Sequence, residues 1–185
     1  MKTLKEIKYL ALLRGINVGG NNIIKMADLK ACLEKLGLTE VTTFIQSGNV
    51  VFGSTEKSQS TLTEKIEKAL AKQFNYKAQV MLVSHAQLKS IVKGIPKGFG
   101  KTPDKFRYNV IFLKQPLSAQ TVAKTIALKE GVDQAYPGKG VLYFVQLISK
   151  ASQSKLAKVI STPFYKNITI RNWNTTSKLL ALMEK

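Results

Sequence analysis

Twice along this chain the apolar pattern runs strand, helix, strand, strand, helix, strand, and then one more helix. In the first run, residues 9–14 read as a strand, and residues 26–36 carry Met26, Leu29, Leu33 and Leu36 at helical spacing. Gly37 fits the stop of that helix. Residues 41–46 and 49–53 are β-rich, and Ser47-Gly48 between them signals a tight hairpin. Residues 61–74 set Leu62, Ile66, Ala69, Leu70 and Phe74 on one helical face, and residues 77–83 alternate as a strand. Ser84 suits the N-cap of a helix reaching about residue 93. The second run repeats the order with little identity. It predicts strands at 107–113, 132–136, 141–147 and 168–171, helices at 118–128 and 152–160, and a last helix to 182 that Asn174 can cap.

This order is the split βαβ, or ferredoxin-like, plan. It predicts an α+β fold of two tandem ferredoxin-like (βαββαβ) units, each followed by an extra helix. Pro96, Gly98, Gly100 and Pro103 mark a linker, so the expected domains are residues 1–94 and 106–185, joined by 95–105. Right-handed crossovers put strand three between strands one and two, and strand four on the far side of strand one. The loop after strand one (15–22) and the hairpin turn (46–49) then share one end of the first sheet.

Charge narrows the partners. Lysine and arginine number 29 against 11 acidic residues, a net charge of +18. Residues 1–94 carry 14 basic and 7 acidic residues, and residues 95–185 carry 15 and 4. Such a field attracts nucleic acid, an anionic membrane surface or a phosphorylated small molecule. The lysines are scattered, so solvation of the surface accounts for them equally well. Only Arg14, Arg107 and Arg171 are arginines, each at an expected strand end. A guanidinium offers a planar fork that lysine cannot copy. The three are therefore candidates for anion recognition, with structural ion pairs as the alternative.

Several classes are disfavoured. No apolar stretch approaches the roughly 20 residues a membrane span needs. The short run 9–13 ends at Arg14, as a strand does rather than a leader. The lone Cys32 rules out an internal disulfide and points to a reducing, cytoplasmic setting. One histidine, His85, with one cysteine cannot build a His-rich or Cys-rich metal site, and no cofactor motif is present. There is no nucleophile elbow and no carboxylate pair spaced for acid–base work.

What remains is recognition chemistry. In loop 15–22, Gly15, Gly19 and Gly20 free backbone N–H groups, and Asn17, Asn21 and Asn22 add amide donors, an arrangement able to cradle an anion. It is neither a P-loop nor a dinucleotide fingerprint, and a plain turn explains it as well. Gln46, Ser47 and Asn49 stand beside it. Base stacking would use Tyr9 and Phe52, or Tyr108, Phe112 and Tyr143, yet Tyr108 and Phe112 share a face with Val110, as core residues do. The expected ligand set is Arg14, Asn17, Gly19, Gly20, Gln46, Ser47, Asn49, Arg107, Arg171 and Asn172. Arg107 and Arg171 are expected at one end of the second sheet, facing the first-unit residues, with Trp173 as core. The reading is a binding module for an anionic partner, nucleic acid or a phosphorylated ligand. The alternative is a small-molecule enzyme working at loop 15–22 and turn 46–49.

Three motifs carry a family resemblance. They are Ala11-Leu12-Leu13-Arg14-Gly15-Ile16-Asn17-Val18-Gly19-Gly20, Phe44-Ile45-Gln46-Ser47-Gly48-Asn49-Val50-Val51-Phe52 and Arg171-Asn172-Trp173-Asn174-Thr175. Together they resemble the bacterial family called domain of unknown function 1697, over about residues 8–183. Phe44 stands where the family pattern has tyrosine, so no hydroxyl is available there. The resemblance implies a two-part α+β fold and carries no activity with it.

Overall fold

The computed structural model describes residues 5–17, 22–75 and 77–185. Among these residues the fold is α+β, with two four-stranded antiparallel sheets. Packing divides the chain into one unit of residues up to Leu88 with Leu179–Lys185, and a second unit, Lys89–Lys178.

The first unit runs β1 (Ile7–Arg14), α1 (Met26–Glu34), β2 (Thr39–Phe44), β3 (Asn49–Ser54), α2 (Gln59–Phe74) and β4 (Gln79–Ser84). Its strand order is β2-β3-β1-β4, as the crossover argument requires. Cross-strand partners share a face, and the pairs Tyr9↔Phe52 and Ala11↔Val50 turn toward the helices. There Leu29 and Leu33 of α1 and Leu62, Ile66 and Leu70 of α2 close the core. The alternate residues Leu10, Leu12, Val51 and Val83 are buried too, so β1 is covered on both faces. That explains the unbroken apolar run in β1, since only a strand with one wet face needs to alternate.

α2 shows why its sequence is helical. Leu62, Ile66 and Leu70 recur every four residues on the buried face. Ser58 caps the helix by accepting from the Thr61 N–H at 3.3 Å. Ser84 does the same for α3 (His85–Lys93), accepting from the Gln87 N–H.

The second unit contains β5 (Phe106–Leu113), α4 (Ala119–Ile126), β6 (Asp133–Gly138), β7 (Val141–Leu147) and β8 (Ile168–Asn172), in the order β6-β7-β5-β8. The helix expected over 152–160 is absent. Three 3-10 segments replace it, Ile148–Gln153, Leu156–Ser161 and Tyr165–Asn167. The serines at 149, 152 and 154 compete for backbone partners, and Ser154 accepts from the Leu156 N–H. The buried Asp133 carboxylate takes the Lys155 N–H at 2.8 Å, which an α-helix would spend internally.

Other expectations also shift. The β2–β3 connection is a four-residue turn, 45–48, rather than a two-residue hairpin. The helix α5 (Trp173–Met183) is capped by Asn172, which accepts from the Asn174 N–H at 2.9 Å. The Pro/Gly-rich stretch read as a linker is packed: Phe99 is buried edge-on against Tyr108, Tyr143 and Trp173, with centroids 5.0–5.5 Å apart. Thr102 bonds the Tyr108 hydroxyl at 2.7 Å. Gly100 has φ +83, and a Cβ there would stand 2.6 Å from Trp173 Nε1, so no other residue fits this approach.

Candidate functional site

The β1–α1 loop and the β2–β3 turn meet at one end of the first sheet. The Leu13 N–H donates to the Gly48 carbonyl at 2.8 Å. Gly48 has φ +72, and a Cβ there would lie 2.8 Å from Leu13 Cβ, so the turn seats closely only because this residue lacks a side chain. Asn17, at φ +53, fastens the loop to the turn. Its Nδ2 donates to the carbonyls of both Ile24 and Gln46 at 3.0 Å, and its Oδ1 accepts from the Ile24 N–H at 2.8 Å. Asn22 Nδ2 donates to the Gly15 carbonyl at 2.8 Å. Asn49, fully buried, donates from Nδ2 to the Phe44 carbonyl and to Ser47 Oγ. The side-chain amides of Asn17, Asn22 and Asn49 are thus spent on rigidity, and Asn17 braces the described part of the loop against the turn.

At this end of the sheet Arg14 is half-buried, while Ile23 and Ile45 are exposed. Arg14 ends β1, and its Nη1 donates at 2.8 Å to Oε1 of Gln79, its register partner on β4. This bond aims one edge of the guanidinium. Ile23 is 77% exposed and Ile45 52% exposed, each adjacent to a residue whose carbonyl Asn17 holds. Ile45 sits at φ +50, a left-handed conformation that costs a β-branched residue on the order of 1–2 kcal/mol. The Gln46 side chain is also exposed, and Ser47 is half-buried. Gly19, Gly20 and Asn21 lie outside the described residues.

Within the second unit, Arg107 and Arg171 do not share a face. Arg171 pairs across to Val110, three residues from Arg107, so the alternation of the strand turns them to opposite sides. Arg171 is half-buried, and its Nη1 donates to Thr169 Oγ1 and the Ile170 carbonyl within its own strand. Arg107 is exposed on the row that runs through Gln146 to Asp133. Asn172 serves as the cap of α5.

The aromatics offer no stacking platform among the described residues. Tyr9 and Phe52 are buried in the helix-side core. Tyr108, Phe112 and Tyr143 are buried on the other face of the second sheet, as the Val110 alternation suggested. The Tyr143 hydroxyl donates to the Ile91 carbonyl at 2.7 Å, and burial raises its pKa above the usual phenol value. Burial also raises the Cys32 thiol, with Lys35 pulling the other way, so the thiolate form is disfavoured. No group of three or more His, Cys, Asp or Glu is placed to hold a metal ion among the described residues. No described helix is long and apolar enough to cross a membrane.

Sequence reasoning missed Gln79, Ile23 and Ile45. Gln79 was within reach, because the expected topology already made β4 the neighbour of β1 at Arg14. Ile23 and Ile45 carried no signal: Ile45 fell inside the run 41–46 read as a strand, and an isoleucine reads as core until its exposure is known.

A family model described as Protein of unknown function (DUF1697) matches residues 7–143. A solved structure of a conserved bacterial protein from Streptococcus pneumoniae superposes with a TM-score of 0.83 at 30% identity, covering 97% of this chain and 99% of that one. No curated protein matches the chain.

Proposed function

The chain belongs to the DUF1697 family of proteins of unknown function, and we propose from its own residues that the loop–turn end of its first unit binds a small anionic ligand. The observation that carries this reading is the Asn17 brace beside an aimed guanidinium. One side chain makes the loop and the turn a single rigid surface, and Gln79 orients Arg14 at its edge. A preorganised surface loses little entropy on binding, and an oriented guanidinium suits phosphate or carboxylate. The net charge of +18 draws such ligands in. Covered sheet faces and buried aromatics favour this compact ligand over single-stranded nucleic acid stacked on the sheet.

The charge itself supports a second reading, duplex or structured nucleic acid held by phosphate contacts alone. That affinity would fall steeply between low and physiological salt. Both readings take the units to be two successive ferredoxin-like domains, the second with its return helix loosened, in a cytoplasmic protein whose one thiol stays buried.

Thermal shift with orthophosphate, pyrophosphate and small carboxylates tests the first reading. A ligand of the folded state at a hundred times its Kd adds about 2.7 kcal/mol of stability. Arg14→Lys should abolish the shift, since Lys keeps the charge and loses the fork. No shift with any of these anions would refute the reading.

A further inference from the structure

We infer that one end of the second sheet, rimmed by Lys114, Lys139 and Lys166, is the surface that meets a nucleic-acid backbone. The inference rests on the second reading above, phosphate contacts with duplex or structured nucleic acid, and gives that contact a place. The three lysines stand on three different connections, which two hydrogen bonds from consecutive residues draw together. The Leu113 N–H donates to the Gly140 carbonyl at 3.0 Å, and the Lys114 N–H to the Asn167 carbonyl at 2.8 Å. Lys139 and Lys166 each immediately precede one of those carbonyl residues. All three lysines are exposed, and none makes an ion pair among the described residues. The charge around them is one-sided. Lys89–Lys178 hold 16 basic residues and three acidic ones, Asp104, Glu130 and Asp133. All three acids belong to the opposite end of the sheet. β5 and β6 both run antiparallel to β7, so their starts share an end. Asp104 comes just before β5, and Asp133, with Glu130 close before it, opens β6. From Asp133 to Lys139 the strand covers about 20 Å at ~3.3 Å per residue, well beyond the screening length of about 8 Å at physiological salt. Lysines that only solvate a surface sit among carboxylates, as Lys8 does with Glu40 and Lys30 with Glu34 in the first unit. Here three ammonium groups are gathered with no carboxylate of their unit near them, and a bound polyanion relieves their repulsion. Lysine is a point charge on a flexible stem, suited to phosphates that position a partner without reading its sequence. The exposed residues beside them, Gln115, Pro116 and Gly140, offer no apolar anchor to a bilayer, which favours nucleic acid over a membrane.

The test follows binding of a short mixed-sequence DNA duplex to the full chain by fluorescence anisotropy across a salt titration. Combining Lys114→Gln, Lys139→Gln and Lys166→Gln should reduce the steepness of log K against log salt by about 2.7, the loss of ~0.9 for each phosphate contact. A control that removes equal charge from exposed positions of the same unit, Lys93→Gln, Lys124→Gln and Lys158→Gln, should reduce it by less than a single contact does. Lys114→Arg, Lys139→Arg and Lys166→Arg together should keep the parent slope, which separates lost charge from a disturbed fold. Equal losses from the two glutamine triples would overturn the inference, leaving net charge as the cause and the nucleic-acid reading standing. An unchanged slope in the first triple would overturn it as well. Failure of the parent chain to bind the duplex would remove both the inference and the nucleic-acid reading. If the first triple lost binding to phosphatidylserine vesicles and kept its binding to the duplex, the surface would belong to a membrane and the inference would fall.

Discussion

The two units complete their sheets in different ways at the same step of the plan. After the third strand, the first unit returns through α2, a 16-residue helix with Leu62, Ile66 and Leu70 against the sheet. At that step the second unit has three 3-10 segments, with Val159 buried, Leu156 half-buried and Ile160 left 61% exposed. The difference teaches that the return stroke does not have to be a helix. Short segments suffice when the sheet itself reaches out to hold them, as Asp133 of β6 does by accepting the N–H of Lys155 between the first two of them. In the first unit side-chain packing secures the return, and in the second a buried carboxylate does.

The largest expected effect separates these mechanisms. Ile66→Ala should lower stability by about 3 kcal/mol in urea denaturation, as for other buried aliphatic truncations. Leu156→Ala, half-exposed on the 3-10 segment, should cost roughly 1 kcal/mol. Equal losses would mean that the second return is packed as tightly as the first, and the comparison would break. Next, Asp133→Ala should cost about 2 kcal/mol, because two backbone donors lose their shared acceptor. Hydrogen exchange should quicken at the Lys129 and Lys155 amides before the rest of the unit. Unchanged protection there would show that the carboxylate does not hold the segment. The smallest effect tests what the units share. Ser58 and Ser118 each accept from the N–H of a threonine three residues on. Ser58→Ala and Ser118→Ala should each cost about 1 kcal/mol, judged by thermal melts. A cost at one position only would show that the two caps are not equivalent.

Much of the plan was legible because periodicity reports burial directly. The strand order of both sheets followed from element order and crossover handedness. The lost helix was not legible, because its cause is remote: Asp133 lies well before Lys155 in the chain and acts only once β6 is paired. The four-residue turn was hidden by Ile45, since nothing local announces an isoleucine at positive φ. At the candidate site the residue types were readable and their roles were not. Asn17, Gln46 and Asn49 looked like ligand donors, yet Asn17 and Asn49 brace the loop and the turn, and Gln46 lends its carbonyl. The opposition of Arg107 and Arg171 depends on strand parity, which a shift of one residue reverses.

The first unit is discontinuous in the chain, since Leu179–Lys185 belong to it and Lys89–Lys178 lie between. Order of synthesis then matters. On the ribosome, the contiguous second unit is complete before the last segment of the first has been made. At roughly 5–20 residues per second, the first sheet waits on the order of ten seconds for Leu179, Leu180 and Met183, which are buried in the finished fold. Until then the nascent chain carries a first unit short of its final apolar residues. That unit emerges from the exit tunnel first, and it is the last to be sealed.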